Sequence, residues 1–502
     1  MNESALLDEI LNCRRGSIIA PAGCGKTEQI ARALIRADKC RLVLTHTLAG
    51  VDAIRKRLRD KGLNPGHHDV TTIAAWCLRV ASAFPLRSGL TVLLPADEEW
   101  DSVYLAATRL ILSGCIDSVI RASYAGVLVD EYQDCTILQH NLICALTQLL
   151  PCCIFGDSLQ AIFGFRGGTP PSWDDEVMQI FPTITELRIP HRWENVCNGR
   201  LGEWLLECRN ELVSRNQIDL TRRPPTVAHC ILPSGDDQAR HQSKCNLIMR
   251  ALASRDKESC IVIGDSQNEP GRALMARNIK ATAIEPVSCR RLREFVDKLD
   301  KRRGSARLGL VLELLKDLMT QTDAAALKKV VATVLSGTRR RPLDAMQAAC
   351  VDITKTQDLL PILTTLETAP RWGGGWVYRR ELHHALCSAI RGVITGNYTT
   401  LSDAVWDVQN HRRHAGRRFG PRSVGSTLLV KGLEFDHVVV ADTERLGRND
   451  LYVALTRGAK SVTIISETSI LRANSPASSS PQQPNGRRAL RGADDRQGML
   501  LL

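Results

Sequence analysis

Short apolar runs alternate with helical patterns along the first 190 residues of the chain. Runs of this length bounded by turn residues are typical of buried strands, whereas helices repeat apolar residues every three to four positions. This alternation predicts an α/β unit with a parallel sheet covered on both faces. The predicted strands are Ser17–Ala20, Arg41–Thr45, Gly126–Asp130, Cys152–Gly156 and Ile184–Ile189, and the predicted helices are Thr27–Ala37, Gly50–Lys61 and Thr136–Leu149.

A second unit with the same pattern is predicted to begin near Thr226 and to resume, after a long interruption, only at Ser426. The interruption, residues 288–422, has helical spacing of apolar residues and a glycine run at 373–375 that indicates a loop. The predicted elements of this half are strands at Ser259–Gly264, His437–Ala441 and Ser461–Ile465, and helices at Pro270–Asn278, Leu308–Leu318 and Ala325–Val334.

The pattern therefore predicts two parallel-sheet cores. The first core would span residues 1–200, with a short insertion at about 84–123. The second core would comprise residues 201–287 and 423–472, divided by the helical insertion 288–422. Residues 473–502 are rich in Ser, Pro and Gln at their start, cannot bury a core, and are predicted to be a disordered tail.

The net positive charge of the chain indicates a polyanionic partner. The 502 residues carry 66 Lys and Arg against 54 Asp and Glu, a formal net charge of +12. Residues 290–422 hold 24 Lys and Arg against 13 Asp and Glu, so nearly all of the excess lies in the insertion. The insertion is either a solvated helical surface or a surface that grips DNA phosphates in a salt-dependent way.

Cysteine usage and the N-terminus indicate the compartment. Seventeen cysteines without any C-x-x-C spacing favour free thiols in a reducing cytosol over a zinc ribbon or a disulfide framework. The first residues form no signal-peptide core, and the longest uncharged stretch, 140–156, is interrupted by polar residues and proline. We therefore expect a cytoplasmic protein without a membrane span.

A phosphate-binding loop is predicted between the first strand and the first helix. Gly23 and Gly25 would let the backbone curl so that amide groups point at phosphates, next to the positive end of the helix dipole. Lys26 would neutralise the β- and γ-phosphates, and Thr27 would offer its hydroxyl to Mg²⁺. The alternative is a glycine-rich turn that caps a helix. The predicted nucleotide contacts are Ala22, Gly23, Cys24, Gly25, Lys26 and Thr27.

Two later strands are predicted to end in polar chemistry. Asp130 follows an apolar strand and suits Mg²⁺ coordination, while Glu131 would polarise an attacking water as a general base. Gln160 follows the next strand and would sense the γ-phosphate or orient that water. The alternative for the acidic pair is a solvated loop.

Two rings follow Gln160 beside an arginine and flexible glycines. Phe163, Phe165 and Arg166 would form a stacking platform for single-stranded bases. The equal alternative is that both rings fill the core.

Six segments, together with the phosphate-binding loop, resemble motifs of the UvrD/Rep/PcrA family of superfamily 1 helicases, and the resemblance extends to about residue 470. They occur in the order of the family's motifs. The segments are Leu42–Thr47, Asp130–Asp134, Gly156–Gly168, Leu187–Arg192, Val430–Phe435 and Tyr452–Arg457. The resemblance implies two RecA-like cores, ATP and Mg²⁺ as cofactors, and 3′ to 5′ movement on single-stranded or partly duplex DNA.

The resemblance also implies roles for single residues. Arg192 and Arg457 match arginines that reach the γ-phosphate across the cleft, where a guanidinium stabilises the transferring phosphoryl group. Glu434 matches a glutamate that holds the ribose, and His191 stands where a tyrosine usually stacks on adenine. The implied DNA contacts are Thr45, His46, Phe163, Phe165 and Arg166.

The chain departs from the family mainly at DNA contacts. His46 replaces a phenylalanine, and the residues at 48–49 replace a polar pair. Two hypotheses therefore stay open: a DNA helicase or translocase, and a nucleotide-gated subunit that controls a partner nuclease. The compact layout is similar to the helicase-like subunit of Gabija-type anti-phage systems, which implies a nuclease partner of the OLD/Toprim type. Cys24 is either a redox-sensitive or an inert thiol.

Overall fold

The computed structural model describes residues 3–92, 95, 99–162, 169–253, 255, 257–284, 290–414 and 420–474. Its strands are β1 (Arg15–Ile19), β2 (Leu42–Thr45), β3 (Asp69–Thr72), β4 (Val127–Val129), β5 (Cys152–Gly156), β6 (Thr183–Glu186), β7 (Gln217–Asp219), β8 (Val227–Ile231), β9 (Cys260–Ile263), β10 (Thr282–Ala283), β11 (Arg422–Gly425), β12 (Phe435–Val440), β13 (Gly458–Ser466) and β14 (Ile470–Arg472).

The helices of the first half are α1 (Glu3–Asn12), α2 (Lys26–Arg36), α3 (Leu48–Asp60), α4 (Ile73–Ala83), α5 (Pro85–Ser88), α6 (Trp100–Leu112), α7 (Asp117–Ser123), α8 (Ile137–Leu146), α9 (Met178–Ile180), α10 (His191–Glu194) and α11 (Gly199–Arg215). Those of the second half are α12 (Asp237–Ala251), α13 (Glu269–Asn278), α14 (Arg290–Leu299), α15 (Gly304–Leu318), α16 (Ala324–Leu335), α17 (Ala345–Lys355), α18 (Leu360–Trp372), α19 (Arg380–Ile394), α20 (Leu401–His414), α21 (Thr427–Val430) and α22 (Arg448–Leu455).

The first sheet is parallel, with the strand order β3-β2-β4-β5-β1-β6. Successive residues of a strand face opposite sides of a sheet. In β4 this places Val127 and Val129 in one apolar cluster and Leu128 in the other, and all three are fully buried. Both faces are therefore covered, which explains why these strands are apolar throughout.

The second sheet is also parallel, with the order β10-β11-β9-β12-β13-β8. In β12, Val438 and Val440 pack in one cluster and Val439 in the other. β14 and β7 form a separate antiparallel pair beside it. The predicted α/β class with two parallel-sheet cores is confirmed.

The helices α14–α20 interrupt the second sheet between the adjacent strands β10 and β11, and they build an apolar core of their own. The chain thus leaves and re-enters the sheet at neighbouring positions. The start of this helical segment is ion-paired to α13, because Arg291 of α14 lies 3.1 Å from Glu269. Arg291 also lies 2.8 Å from Asp317 of α15.

Several strands differ from the sequence prediction, which contains no counterpart of β3, β7, β10 or β14. β3 was not predicted, because two threonines and an aspartate make up three of its four residues, although Val70 is fully buried. The α/β pattern resumes with β11 at Arg422 rather than at Ser426. The sequence pattern misses this short strand because it has a single large apolar residue, Val424.

No single helix within the described ranges has the length and apolar composition to cross a membrane. One bent pair, α6 with α7, passes that test when its two helices are taken together, with a bend of 97°. Both helices contribute buried residues to the core of the first sheet.

Candidate nucleotide site

The loop between β1 and α2 is built around two glycines. Gly23 and Gly25 have φ angles of 74° and 85°, in the left-handed region that favours glycine. A methyl group on Gly23 would lie 2.5 Å from the ring of Trp193, and one on Gly25 would lie 3.1 Å from His191. The loop therefore needs glycine for conformation and for close approach, and α2 begins directly after it at Lys26.

Lys26 joins this loop to the end of β4. Its Nζ atom lies 3.1 Å from Asp130 Oδ1 and 2.5 Å from Glu131 Oε1. Burial alone would lower the pKa of Lys26, but the two carboxylates raise it above the ordinary value. Burial raises the pKa of Asp130; it would raise that of Glu131 too, but Lys26 and Lys431 lower the Glu131 pKa to about 2. Glu131 is thus ionised at neutral pH.

Gln133 connects Glu131 to the end of the neighbouring strand β5. Glu131 has a φ of 55°, unusual for a residue with a side chain, and its Oε2 accepts a hydrogen bond from Gln133 Nε2 at 2.5 Å. Gln133 Oε1 accepts the Asp157 amide at 3.2 Å. The acidic motif and the Gln160 segment are therefore held in one network.

Gln160 lies beside the loop at the end of β5. Its Nε2 donates to the Ala20 carbonyl at 3.3 Å and to Asp157 Oδ2 at 3.2 Å. The structure thus brings together the ends of β1, β4 and β5, because the carboxyl ends of parallel strands share one edge of the sheet.

The opposite wall carries two arginines, and Arg192 belongs to it, although it lies within the predicted first core 1–200, because it and Trp193 donate to backbone carbonyls of the second core. Arg192 Nε lies 2.9 Å from Glu434, and its Nη1 donates to the Thr456 carbonyl at 2.7 Å. Arg457 is fully buried and donates to the carbonyls of Val453 and Leu433 at 2.9 and 3.0 Å. Burial and the nearby Arg192 lower the pKa of Arg457 to about 9. Among the described residues no carboxylate lies within ion-pair distance of Arg457.

The two walls touch at the loop. Trp193 is fully buried against Gly23, and its indole donates to the Gly458 carbonyl at 2.8 Å. The Ala22 amide donates to the Tyr452 hydroxyl at 3.1 Å. Two rings from the opposite wall, Trp193 and Tyr452, thus fix the loop.

Two more side chains cross between the cores. Lys431 Nζ donates to Asp134 at 2.5 and 2.6 Å and to the Gln160 carbonyl at 2.6 Å. Asn449 Nδ2 donates to the Ala161 carbonyl at 2.7 Å. Side chains of the second core therefore hold the turn after β5 through hydrogen bonds to its carbonyl groups.

A cleft of about 530 Å³ separates the two walls, within the range of ordinary ligand pockets. Its lining includes most of the residues predicted to bind nucleotide. They are Ala22, Gly23, Gly25, Lys26, Thr27, Glu131, Gln160, His191, Arg192, Glu434 and Arg457. Asp130 lies behind Lys26, and the half-exposed His191 ring lies 3.2 Å from Glu194.

Cys24 faces inward from the loop rather than into the cleft. Burial raises the pKa of its thiol to about 12. A thiol of this kind holds its proton at neutral pH, and the thiolate is the reactive form. This environment favours the inert alternative.

The residues predicted to contact DNA are less well placed. Thr45 is fully buried, and the half-buried His46 contacts the Cys135 sulfur at 3.5 Å. Burial lowers the pKa of His46 to about 4, so its ring is neutral. Phe163, Phe165 and Arg166 lie outside the described residues.

The sequence pattern predicts no role for Trp193, Lys431, Asn449, Tyr452 or Arg209, the last of which lies 3.1 Å from the buried Asp157. Lys431 and Tyr452 lie inside segments that resemble family motifs, and Trp193 directly follows Arg192. Their positions in the sequence therefore could have indicated a role at the site. Asn449 and Arg209 act through contacts with segments far away in sequence, for which no local pattern exists.

Residues 99–175 match the family model of the UvrD/REP helicase N-terminal domain. This segment contains Asp130, Glu131 and Gln160, and the match supports the resemblance to UvrD-like helicases. Comparison with curated proteins gives no match.

Among solved structures, one similar chain is Arterivirus nonstructural protein 10 (helicase) in complex with DNA, with 10% identity and a TM-score of 0.34 over 91% of this chain and 62% of that one. The same helicase in a second crystal structure gives 9% identity and a TM-score of 0.35, over 91% and 61%. This chain thus spans about three fifths of those proteins.

Proposed function

We propose that this protein is an ATP-driven DNA helicase or single-stranded DNA translocase. One observation carries the proposal: the cluster of Lys26, Asp130 and Glu131 faces Arg192 and Arg457 across one cleft between two parallel-sheet cores. Arg457 is buried, and its hydrogen-bond partners in the described ranges are neutral groups, which suits it to an anionic ligand. The match of residues 99–175 supports the same function.

The residues present fit ATP with Mg²⁺. The glycines leave the backbone open to phosphates at a helix N-terminus. Lys26 would bind the phosphates, Thr27 and Asp130 would hold Mg²⁺, and Glu434 would hold the ribose. When bound, the metal would supply positive charge that polarises the phosphoryl group.

Hydrolysis would use groups already gathered at the cleft. Gln160 would orient a water for attack on the γ-phosphorus, and Glu131 would take the proton that this water loses. The bond to the β-phosphate oxygen then breaks, and ADP and phosphate leave. Arg192 and Arg457 would stabilise the charge in the transition state. For this, Lys26 must turn from the carboxylates towards the phosphates, which frees Glu131.

Movement on DNA would follow from opening and closing of the cleft. Lys431 and Asn449 already bridge the cores at the turn after β5, so closure acts on that turn directly. The basic helical segment would bind DNA, since Lys301, Arg302, Arg303, Arg340 and Arg341 are all exposed. We propose 3′ to 5′ polarity.

The test is ATP hydrolysis by the purified protein with and without single-stranded DNA. We expect DNA to stimulate the wild type and Lys26→Ala to lose activity to background, whereas Lys39→Ala, an exposed lysine just beyond α2, behaves as wild type. Strand displacement from 3′- and 5′-tailed duplexes then gives the polarity. A wild-type rate indifferent to DNA, with Lys26→Ala equally active, would remove the proposal.

The placement of Thr45 and His46 favours a second candidate, a nucleotide-gated subunit that controls a partner nuclease. Neither side chain is presented for a base, which would suit sensing more than autonomous unwinding. Native mass measurement after gentle purification separates the two candidates. A monomer that unwinds DNA alone would count against the subunit.

A further inference from the structure

A buried carboxylate holds Gln160 in place. Asp157 is fully buried at the end of β5. Its Oδ2 accepts from Gln160 Nε2 at 3.2 Å, and its Oδ1 accepts from the Leu159 amide at 3.3 Å. The Ala20 carbonyl accepts from the same Nε2. Because both partners of Nε2 are acceptors, the amide is orientated with its Oε1 end away from them.

Arg209 of α11 is the charge partner of Asp157. Its Nη2 lies 3.1 Å from Asp157 Oδ1, and its Nη1 lies 3.0 Å from Glu186 Oε1 at the end of β6. The side chain of Arg209 is 11% exposed. Since β5 and β6 are the two neighbours of β1, this guanidinium ties together the strands that flank the phosphate-binding loop.

Loss of this partner would leave a buried negative charge uncompensated, which is costly. Asp157 would then turn towards solvent and withdraw its oxygen atoms from Gln160. The Gln160 amide would lose its fixed orientation, although Gln160 itself is unchanged.

We propose that Arg209 is a positioning residue for nucleotide hydrolysis, acting through Asp157 to fix the orientation of Gln160. The inference rests on the proposed ATPase function. It assigns a role to a helix outside every motif of the resemblance. Lysine can pair with Asp157 but cannot also reach Glu186 in the forked geometry of arginine.

The experiment is a double-mutant cycle of DNA-stimulated ATP hydrolysis with Arg209→Gln and Gln160→Ala. We expect Gln160→Ala to lower kcat about 100-fold, as for loss of a proton-transfer or water-orienting group. Arg209→Gln should lower kcat by about 10-fold or more, with the KM for ATP nearly unchanged. The double variant should be no slower than Gln160→Ala alone, and Arg209→Lys should recover part of the rate.

Arg41 provides the matched control. It is a buried arginine of the same core, it donates to the Leu11 carbonyl at 2.7 Å, and it precedes β2, which β4 and β5 separate from β1 in the sheet. Arg41→Gln should lower the melting temperature, and its effect on kcat should multiply with that of Gln160→Ala.

If the reductions in kcat from Arg209→Gln and Gln160→Ala multiply in the double variant, the inference is overturned. The ATPase proposal stays intact in that case, provided Lys26→Ala is inactive. An active Lys26→Ala would overturn both. If Arg209→Gln does not fold, the cycle with Arg209→Lys decides by the same criterion.

Discussion

The two walls of the cleft balance their charges differently. On the first wall, Lys26 lies between Asp130 and Glu131, so opposite charges compensate one another inside the protein. On the second wall, Arg457 is more deeply buried than Lys26, and its hydrogen-bond partners among the described residues are two carbonyls and the Thr456 hydroxyl. The pKa of Lys26 is accordingly raised, whereas that of Arg457 falls to about 9.

This difference indicates a division of labour. The first wall is stable as it stands and must rearrange for Lys26 to reach an anion. The second wall holds a charge at a cost to folding, which an anion in the cleft would offset. Polar groups whose burial is not compensated within the protein are typical of binding sites.

Among the structural tests, we expect the largest loss of stability from a change at the contact between the two walls, where Gly23 lies against Trp193. Gly23→Ala places a methyl group 2.5 Å from Trp193 at a φ of 74°. We expect a loss of about 2 kcal/mol in unfolding free energy, from strain and overlap together. ATP affinity should also fall, measured by titration with a fluorescent ATP analogue.

Gly62→Ala is the control for this change. Gly62 has a similar φ of 79°, but a methyl group there meets no atom within 4 Å. It should show the backbone strain without the loss of affinity. Equal affinities for both variants would mean that the contact between Gly23 and Trp193 does not shape the site.

The ion pair between the walls gives a smaller, pH-dependent effect. Burial raises the pKa of Asp134 from 3.8 to about 6, even though Lys431 opposes the shift. The folded state therefore binds more protons than the unfolded state between these values, and Asp134 makes stability fall as pH rises through that window.

Asp134→Asn removes this dependence. Relative to the variant, the wild type should lose stability between about pH 4 and pH 6, with a constant difference above about pH 7. Chemical denaturation at several pH values measures it. A difference that is flat throughout would show that Asp134 is not buried beside Lys431 as described.

The first wall was easier to predict from sequence than the second. Gly23, Gly25 and Lys26 lie in a strand–loop–helix segment, and Asp130 and Glu131 directly follow an apolar strand, so local pattern was sufficient. Arg192, Glu434 and Arg457 followed only from the family resemblance. The contacts of Asn449 and Arg209 could not be predicted at all, because they depend on how distant segments pack.

The same reasoning explains errors in the fold. Three short apolar strands inside the first sheet, β2, β4 and β5, were predicted within two residues at each end. β3 was missed because an edge strand needs few apolar residues. The predicted division into domains stays a prediction.

The smallest effect is expected at Cys24. Because burial raises the pKa of its thiol to about 12, peroxide should not modify it at neutral pH. Wild type and Cys24→Ser should then lose ATPase activity equally after peroxide treatment. Protection by the serine variant would instead show that the loop opens and exposes the thiol.

The most direct test of the two-wall account is DNA-stimulated ATP hydrolysis by Arg457→Met at saturating ATP, with the melting temperature measured on the same sample. Arg457 is a buried charge with no carboxylate partner in the part of the chain that the structure describes, so replacing it with an apolar side chain should leave the melting temperature unchanged or higher. The rate should fall about 1,000-fold, as for loss of a transition-state arginine. A variant that hydrolyses ATP at close to the wild-type rate, or that melts well below the wild type, would contradict the account.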